Sequence, residues 1–205
     1  MSFPSHLTRA LAPVAAIALA VTPAEASSKE DIEKVETHLA AAQSMTANFV
    51  QTDAKGRSLV GTLQLKRPGR IRFEYGRGAD MLLVGNGKTL TFVDYEVGQK
   101  SSWEISKSPL SVLLSGNPNL NRIARVIPTK DKRILVVRAR DARRPEFGTI
   151  ILGFLRTSAA PGGLLLQGWT AIDAQNKRTK VTLSNQRYNV AVPESAFSYK
   201  EPTKR

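Results

Sequence analysis

The sequence predicts a mainly β domain built on one antiparallel sheet, curved or closed, with a few helices. Two observations carry that expectation. From Ser44 onward, apolar residues recur with a period of two in short runs. Glycine, proline and asparagine separate those runs at near-regular spacing, the pattern of strands joined by tight turns. Two stretches carry helical signals instead. No internal repeat, low-complexity tract or linker interrupts the chain, so a single domain is expected over residues 27–205.

Residues 28–42 read as the first helix. Ser28 is placed to cap it, and Glu30, Asp31 and Glu33 lie early, where the helix dipole favours acids. Ile32, Val35 and Leu39 form one narrow apolar stripe. His38 falls beside that stripe and is expected at the surface or at its edge. In the first strand Met45, Ala47 and Phe49 alternate with polar neighbours, and residues 58–66 follow with Leu59, Gly61, Leu63 and Leu65 on one face. Residues 67–70 (Arg-Pro-Gly-Arg) make a turn, because proline fixes φ and the next glycine permits positive φ. Ile71, Phe73 and Tyr75 then alternate against Arg72 and Glu74. Residues 81–84 and 88–94 flank Gly85-Asn86-Gly87, a hairpin signal, and residues 100–105 add a strand.

The second helical stretch begins at Ser108-Pro109, a cap followed by proline at the first helical position, and stops at Gly116. Its apolar residues Leu110, Val112, Leu113 and Leu114 are crowded, so more than one side must be covered. Further strands are expected over 134–138, 149–154, 164–173 and 178–183.

Composition narrows the function. Arg9, an apolar run of about a dozen residues, and Ala24-Glu25-Ala26 have the order of a cleavable export signal over residues 1–26. That run is too short to span a bilayer core of roughly 30 Å. A location outside the cytoplasm is expected. The chain has no cysteine, which excludes a thiolate nucleophile, cysteine metal ligands and a lipid anchor on a terminal cysteine. The leader removes one base and one acid, so the balance of +13 persists afterwards. Such an excess suits nucleic acid, an anionic surface, an acidic partner or plain solubility with a bias toward arginine, and export argues against nucleic acid. The strongest basic run holds Arg122, Arg125, Lys130, Lys132, Arg133, Arg138, Arg140, Arg143 and Arg144 against Asp131 and Asp141. It reads either as a solvated strand face or as a docking surface.

Catalytic signals are sparse. His38 is the only histidine beyond the leader, and no nucleophile elbow, zinc motif, P-loop or dinucleotide fingerprint is present. Asp94 and Asp173 sit before turns, an ordinary structural place. No enzyme activity and no cofactor or metal are expected.

Phe49-Val50-Gln51 followed by residues 61–75 (GTLQLKRPGRIRFEY) resembles the first hairpin of the periplasmic outer-membrane lipoprotein carrier proteins, the LolA type. Residues 83–90 are similar to their next hairpin, residues 108–114 to their inner helix, and Phe197-Ser198-Tyr199 with Pro202 to their closing strand. The resemblance implies an incomplete antiparallel β-barrel, or half-barrel, covered by a helical lid. It implies a carrier that shields the acyl chains of triacylated lipoproteins between an inner-membrane ABC-type release complex and an outer-membrane acceptor, or the outer membrane itself. A monomer is expected. Arg67 matches the arginine that locks the lid through backbone carbonyls, expected within Leu110, Leu113 and Leu114. Alternation nominates Phe49, Leu63, Leu65, Ile71, Phe73, Leu83, Leu90, Phe92, Phe154 and Trp169 for the acyl-chain cavity. Asn86 departs from the family's aspartate, and the C-terminus is short. The alternative is a periplasmic lipid- or lipoprotein-sensing module acting through a protein partner.

Overall fold

Helix α1 (Pro23–Ala41) leads into β1 (Ser44–Thr52), β2 (Ser58–Lys66), β3 (Arg70–Tyr75), β4 (Met81–Asn86), β5 (Thr89–Asp94) and β6 (Gln99–Glu104) in a computed structural model that describes residues 23–76 and 78–203. After the short helix α2 (Ser111–Leu114) come β7 (Ala124–Ile127), β8 (Ile134–Ala139), β9 (Thr149–Arg156), β10 (Leu164–Ile172) and β11 (Arg178–Tyr188). The expected leader lies outside the described residues, save Pro23–Ala26 in the first turn of α1.

The strands form one antiparallel sheet in the order β6-β5-β4-β3-β2-β1-β11-β10-β9-β8-β7. Two meanders therefore meet where β1 pairs with β11. The two edges, β6 and β7, are consecutive in the chain, and the segment between them carries α2. The sheet is open, which settles the choice left between a curved and a closed one.

Ring contacts across the sheet measure its curl. Phe73 in β3 and Trp169 in β10 are four strand steps apart, yet their ring centroids lie 6.0 Å from each other. A flat sheet would separate them by roughly 19 Å. Irregularities help the bend: the register shifts between Thr46 and Asn48 in β1 and between Leu166 and Gly168 in β10, and such bulges bend a strand. Gly61 lets Phe49 lie across β2, because a Cβ there would meet the Phe49 ring at 2.8 Å and Glu74 O at 2.1 Å. The concave face holds one continuous core from β1–β5 and β7–β11, with α1 and α2 against it.

Helix α1 buries Ile32, Val35 and Leu39 as the stripe predicts, but it begins before Ser28. His38 corrects the expectation of a surface position. It is 1% exposed, its Nδ1–H donates to Pro161 O at 2.8 Å, and its ring stands edge-on to Phe154 and Tyr188. Alternation alone did not reveal that the loop before β10 would fold over that side of the helix. Two further expectations are corrected. Strand β7 was not read, because only four residues pair there among arginines. Residues 197–202 are not a closing strand: a short 3-10 turn, Glu194–Phe197, and the extended tail pack on the outer face of β3–β5. Phe197 and Val192 cover Leu82, Val84 and Val93 there, and Arg72 Nη1 donates to Ala196 O and Ser198 O.

Gly61→Ala should destabilise the protein by about 1–3 kcal/mol, the range for overpacking a core, read from the urea midpoint. A midpoint at the wild-type value would contradict the close crossing at Gly61. Burial holds the His38 pKa below 6.5, and Arg67 nearby lowers it further, against the opposing bond to Pro161. Its contribution is therefore complete above pH 6.5 and lost as pH falls through the lower folded-state value. Between about pH 7.5 and 5.5, where carboxylates stay ionised, the wild-type midpoint should fall. His38→Gln should flatten that slope, and an equal slope in both proteins would contradict the assignment.

Candidate functional site

Helix α2 is only four residues long and cannot satisfy its own C-terminal carbonyls. The turn between β2 and β3 satisfies two of them. Arg67 Nε donates to Leu113 O at 3.2 Å, and the Gly69 backbone N–H donates to Leu114 O at 2.9 Å. Arg67 Nη1 also donates to Ala42 O, just past the end of α1. The Arg67 backbone is held in turn by its own N–H to Gln43 O at 2.8 Å. One guanidinium thus bridges the C-terminal ends of two helices, where backbone dipoles favour a cation. It is 6% exposed, and burial pulls its pKa down to about 10, so it stays charged at neutral pH.

The helical start expected at Ser108-Pro109 is not formed. A 3-10 turn, Ile105–Lys107, comes first, Ser108 Oγ donates back to Ile105 O at 2.9 Å, and α2 starts only at Ser111. The hydroxyl taken up by Ile105 leaves no serine cap for α2.

Between this segment and the concave face lies an open cleft of about 570 Å³. Phe73, Leu83, Leu90, Phe92 and Trp169 line it from the sheet, and Pro109 and Leu110 from the lid side. The other nominated residues do not reach it in this form. Phe49, Leu63, Leu65, Ile71 and Phe154, with Leu113 and Leu114 of α2, pack in the same core without bordering the cleft. Both helices contribute to that core: His38 of α1 stands edge-on to Phe154, and Leu113 and Leu114 of α2 are buried in the same cluster.

Several lining residues escaped the sequence reading. Tyr75 continues the alternation of Ile71 and Phe73 and lines the cleft, its hydroxyl donating to Gln51 Oε1 at 2.9 Å. Burial pushes its pKa up to about 12. Val181 and Ala171 follow from the faces of β10 and β11. Trp103 on edge strand β6 and Phe147 in the loop before β9 carried no pattern that could have marked them.

Asp94 and Asp173 hold turns, accepting from the backbone N–H groups of Glu96 and of Gln175 and Lys177. Asn86 likewise accepts from the N–H groups of Lys88 and Thr89, an acceptor role that needs no charge. Among the described residues no cluster of three or more His, Cys, Asp or Glu is placed to hold a metal. The basic run is divided by the fold. Arg125 and Arg138 lie opposite each other on the exposed side of β7 and β8. Arg122, Arg140, Arg143 and Arg144 gather at the end of that hairpin beside the lid segment, around a separate groove.

The outer-membrane lipoprotein carrier protein of Chromobacterium violaceum is 27% identical over 188 residues, covering 88% of this chain and 86% of that protein. That of Azotobacter vinelandii is 28% identical over 198 residues, with 92% of each chain covered. Among solved structures, a LolA superfamily protein from Nitrosomonas europaea overlaps 84% of this chain and 97% of its own, with TM-score 0.46 and 10% identity. MucB in the MucA/MucB complex of Pseudomonas aeruginosa overlaps 83% and 61%, with TM-score 0.49 and 13% identity. Neither overlap is close enough to bear on function. No helix among the described residues is long and apolar enough to cross a membrane. Residues 40–200 match the family model described as outer membrane lipoprotein carrier protein LolA, and the chain belongs to that family.

Proposed function

We propose that this protein is a periplasmic carrier that shields lipoprotein acyl chains between the inner and outer membranes. The observation that carries the reading is the apolar cleft beneath a segment held by Arg67. Acyl chains cannot cross water unprotected, because each buried methylene is worth about 0.8 kcal/mol. A cleft of about 570 Å³ lies in the range of about 300–1,000 Å³ typical of single small-molecule sites. Three long chains therefore require α2 to swing out and uncover Phe49, Leu63, Leu65 and Ile71. Two polar contacts to the β2–β3 turn and the burial of Leu113 and Leu114 restrain it, at about 1–3 kcal/mol per bond and about 1.5–3 kcal/mol per leucine. Arriving chains can supply that amount, and the carrier can later recover it by closing, which favours release.

The partners in this reading are triacylated lipoproteins, an inner-membrane ABC-type complex that loads the carrier, and an outer-membrane acceptor or the outer membrane itself. Energy comes from the loading partner, so the carrier needs no cofactor. The matched relatives are named carriers, which favours transport over sensing.

Purified protein added to spheroplasts that hold labelled lipoprotein should release the label into the soluble fraction as a complex. No release, with the native loading complex present and the protein folded, would refute the reading. Arg67→Leu should free α2, speeding amide exchange at residues 111–114 by about tenfold for each 1.4 kcal/mol lost. It should also slow delivery of bound lipoprotein. Exchange at the wild-type rate together with unchanged delivery would remove the role assigned to Arg67.

A further inference from the structure

We propose that the groove beside the cleft binds the phosphate of an anionic glycerophospholipid whose acyl chains enter the cleft. The groove, of about 380 Å³, lies between the segment leading into α2 and the loop that joins β8 to β9. Arg122, Arg140, Arg143 and Arg144 border it, and the Arg140 N–H, donating to Ile123 O at 2.8 Å, sets Arg140 beside Arg122 across the hairpin end. Asp141 is the one acid on its wall, and it pairs with Arg143 at 3.6 Å and Arg144 at 2.9 Å. Among the described residues Arg122 and Arg140 form no ion pair, so cations stand in excess.

Groove and cleft share a wall. Ser108, Pro109 and Phe147 border both, and the Arg144 guanidinium lies 4.8 Å from the centroid of the Phe147 ring. An apolar space adjoining a cationic one across Ser108, Pro109 and Phe147 matches a molecule that is apolar at one end and anionic at the other. Guanidinium groups present planar, paired donors suited to phosphate oxygens. The lipid end of a triacylated lipoprotein carries esters, an amide and a thioether but no phosphate, so that cargo leaves the groove unexplained. Charge on an exposed sheet edge protects against aggregation, which accounts for Arg125 on edge strand β7, and Arg138 is exposed opposite it on β8. That protection does not require arginines to converge beside the cleft.

The inference rests on the cleft accepting acyl chains, and an uncharged lipid tests that part separately. Native mass spectrometry of the purified protein titrated with dioctanoyl phosphatidylglycerol and with dioctanoylglycerol compares equal chains with and without phosphate. Phosphatidylglycerol should bind about tenfold more tightly, the scale of one or two charge-assisted hydrogen bonds. Arg122→Gln with Arg140→Gln should bring it down to the level of dioctanoylglycerol and leave the latter unchanged. Equal affinities in the wild type, or an unaltered preference in the double variant, would overturn the proposal. Inorganic phosphate binding as tightly as the phospholipid would also overturn it, reducing the groove to a free-anion site. Variant-sensitive sedimentation with phosphatidylglycerol vesicles and no soluble lipid complex would overturn it too, in favour of a membrane-docking face. Failure of both lipids to bind would count against the cleft as an acyl site as well.

Discussion

The closed form depends on one buried cation, Arg67, whose partners are carbonyls and not carboxylates. Burying an unpaired charge costs several kcal/mol even after relaxation, so the site must supply concentrated negative potential. The ends of α1 and α2 do so, because unsatisfied carbonyls and helix dipoles meet at the same point. The arrangement ties three pieces of chain together: the end of α1, the turn that opens β3, and the lid. A lysine could reach one carbonyl, but a guanidinium can direct separate N–H groups to two. These contacts satisfy the end of a helix of four residues, and the opening proposed for the carrier would have to break them.

The sheet supplies what the lock acts upon. Its two edge strands are neighbours in sequence but do not pair, and the chain between them carries α2. Closing the barrel would remove the opening. An open barrel keeps a concave apolar face, and the segment carrying α2 lies between the two edge strands in sequence. Bulges and close-packed glycines curl the central strands, while the tail braces the outer face of β3–β5. The curved wall is held by the strand ladder, and in the proposed carrier cycle the part that moves is the short segment carrying α2.

Much of this was legible in the residues. Period-two alternation placed β2 at residues 58–66 without error, because one of its faces meets a core, and it marked Phe73, Leu83, Leu90, Phe92 and Trp169 on the concave side. Alternation could not separate side chains that line a cleft from those sealed under a lid, since both face inward. Phe49, Leu63 and Phe154 face inward like Phe73 but lie away from the cleft, Phe154 against His38 of α1. His38 was misread for a related reason: a helix stripe reports the sheet beneath it but not a loop folding over its flank. Strand β7 is short and flanked by arginines, so its pairing comes from β8 and not from its own pattern. Trp103 and Phe147 border the cleft through edge and loop geometry, which no local period encodes.

The account's central claim is that acyl chains occupy the concave face once α2 moves aside. Photo-crosslinking from single positions tests it most directly, with the probe at Leu83 or Phe92 in the cleft, at Leu63 under the lid, and at exposed Val60 on the outer side of β2. With an acylated lipoprotein bound, the account predicts crosslinks to the acyl chains from Leu83, Phe92 and Leu63, and none from Val60. Crosslinks from Val60 as strong as those from the cleft, or none from Leu63 when three chains are bound, would contradict it.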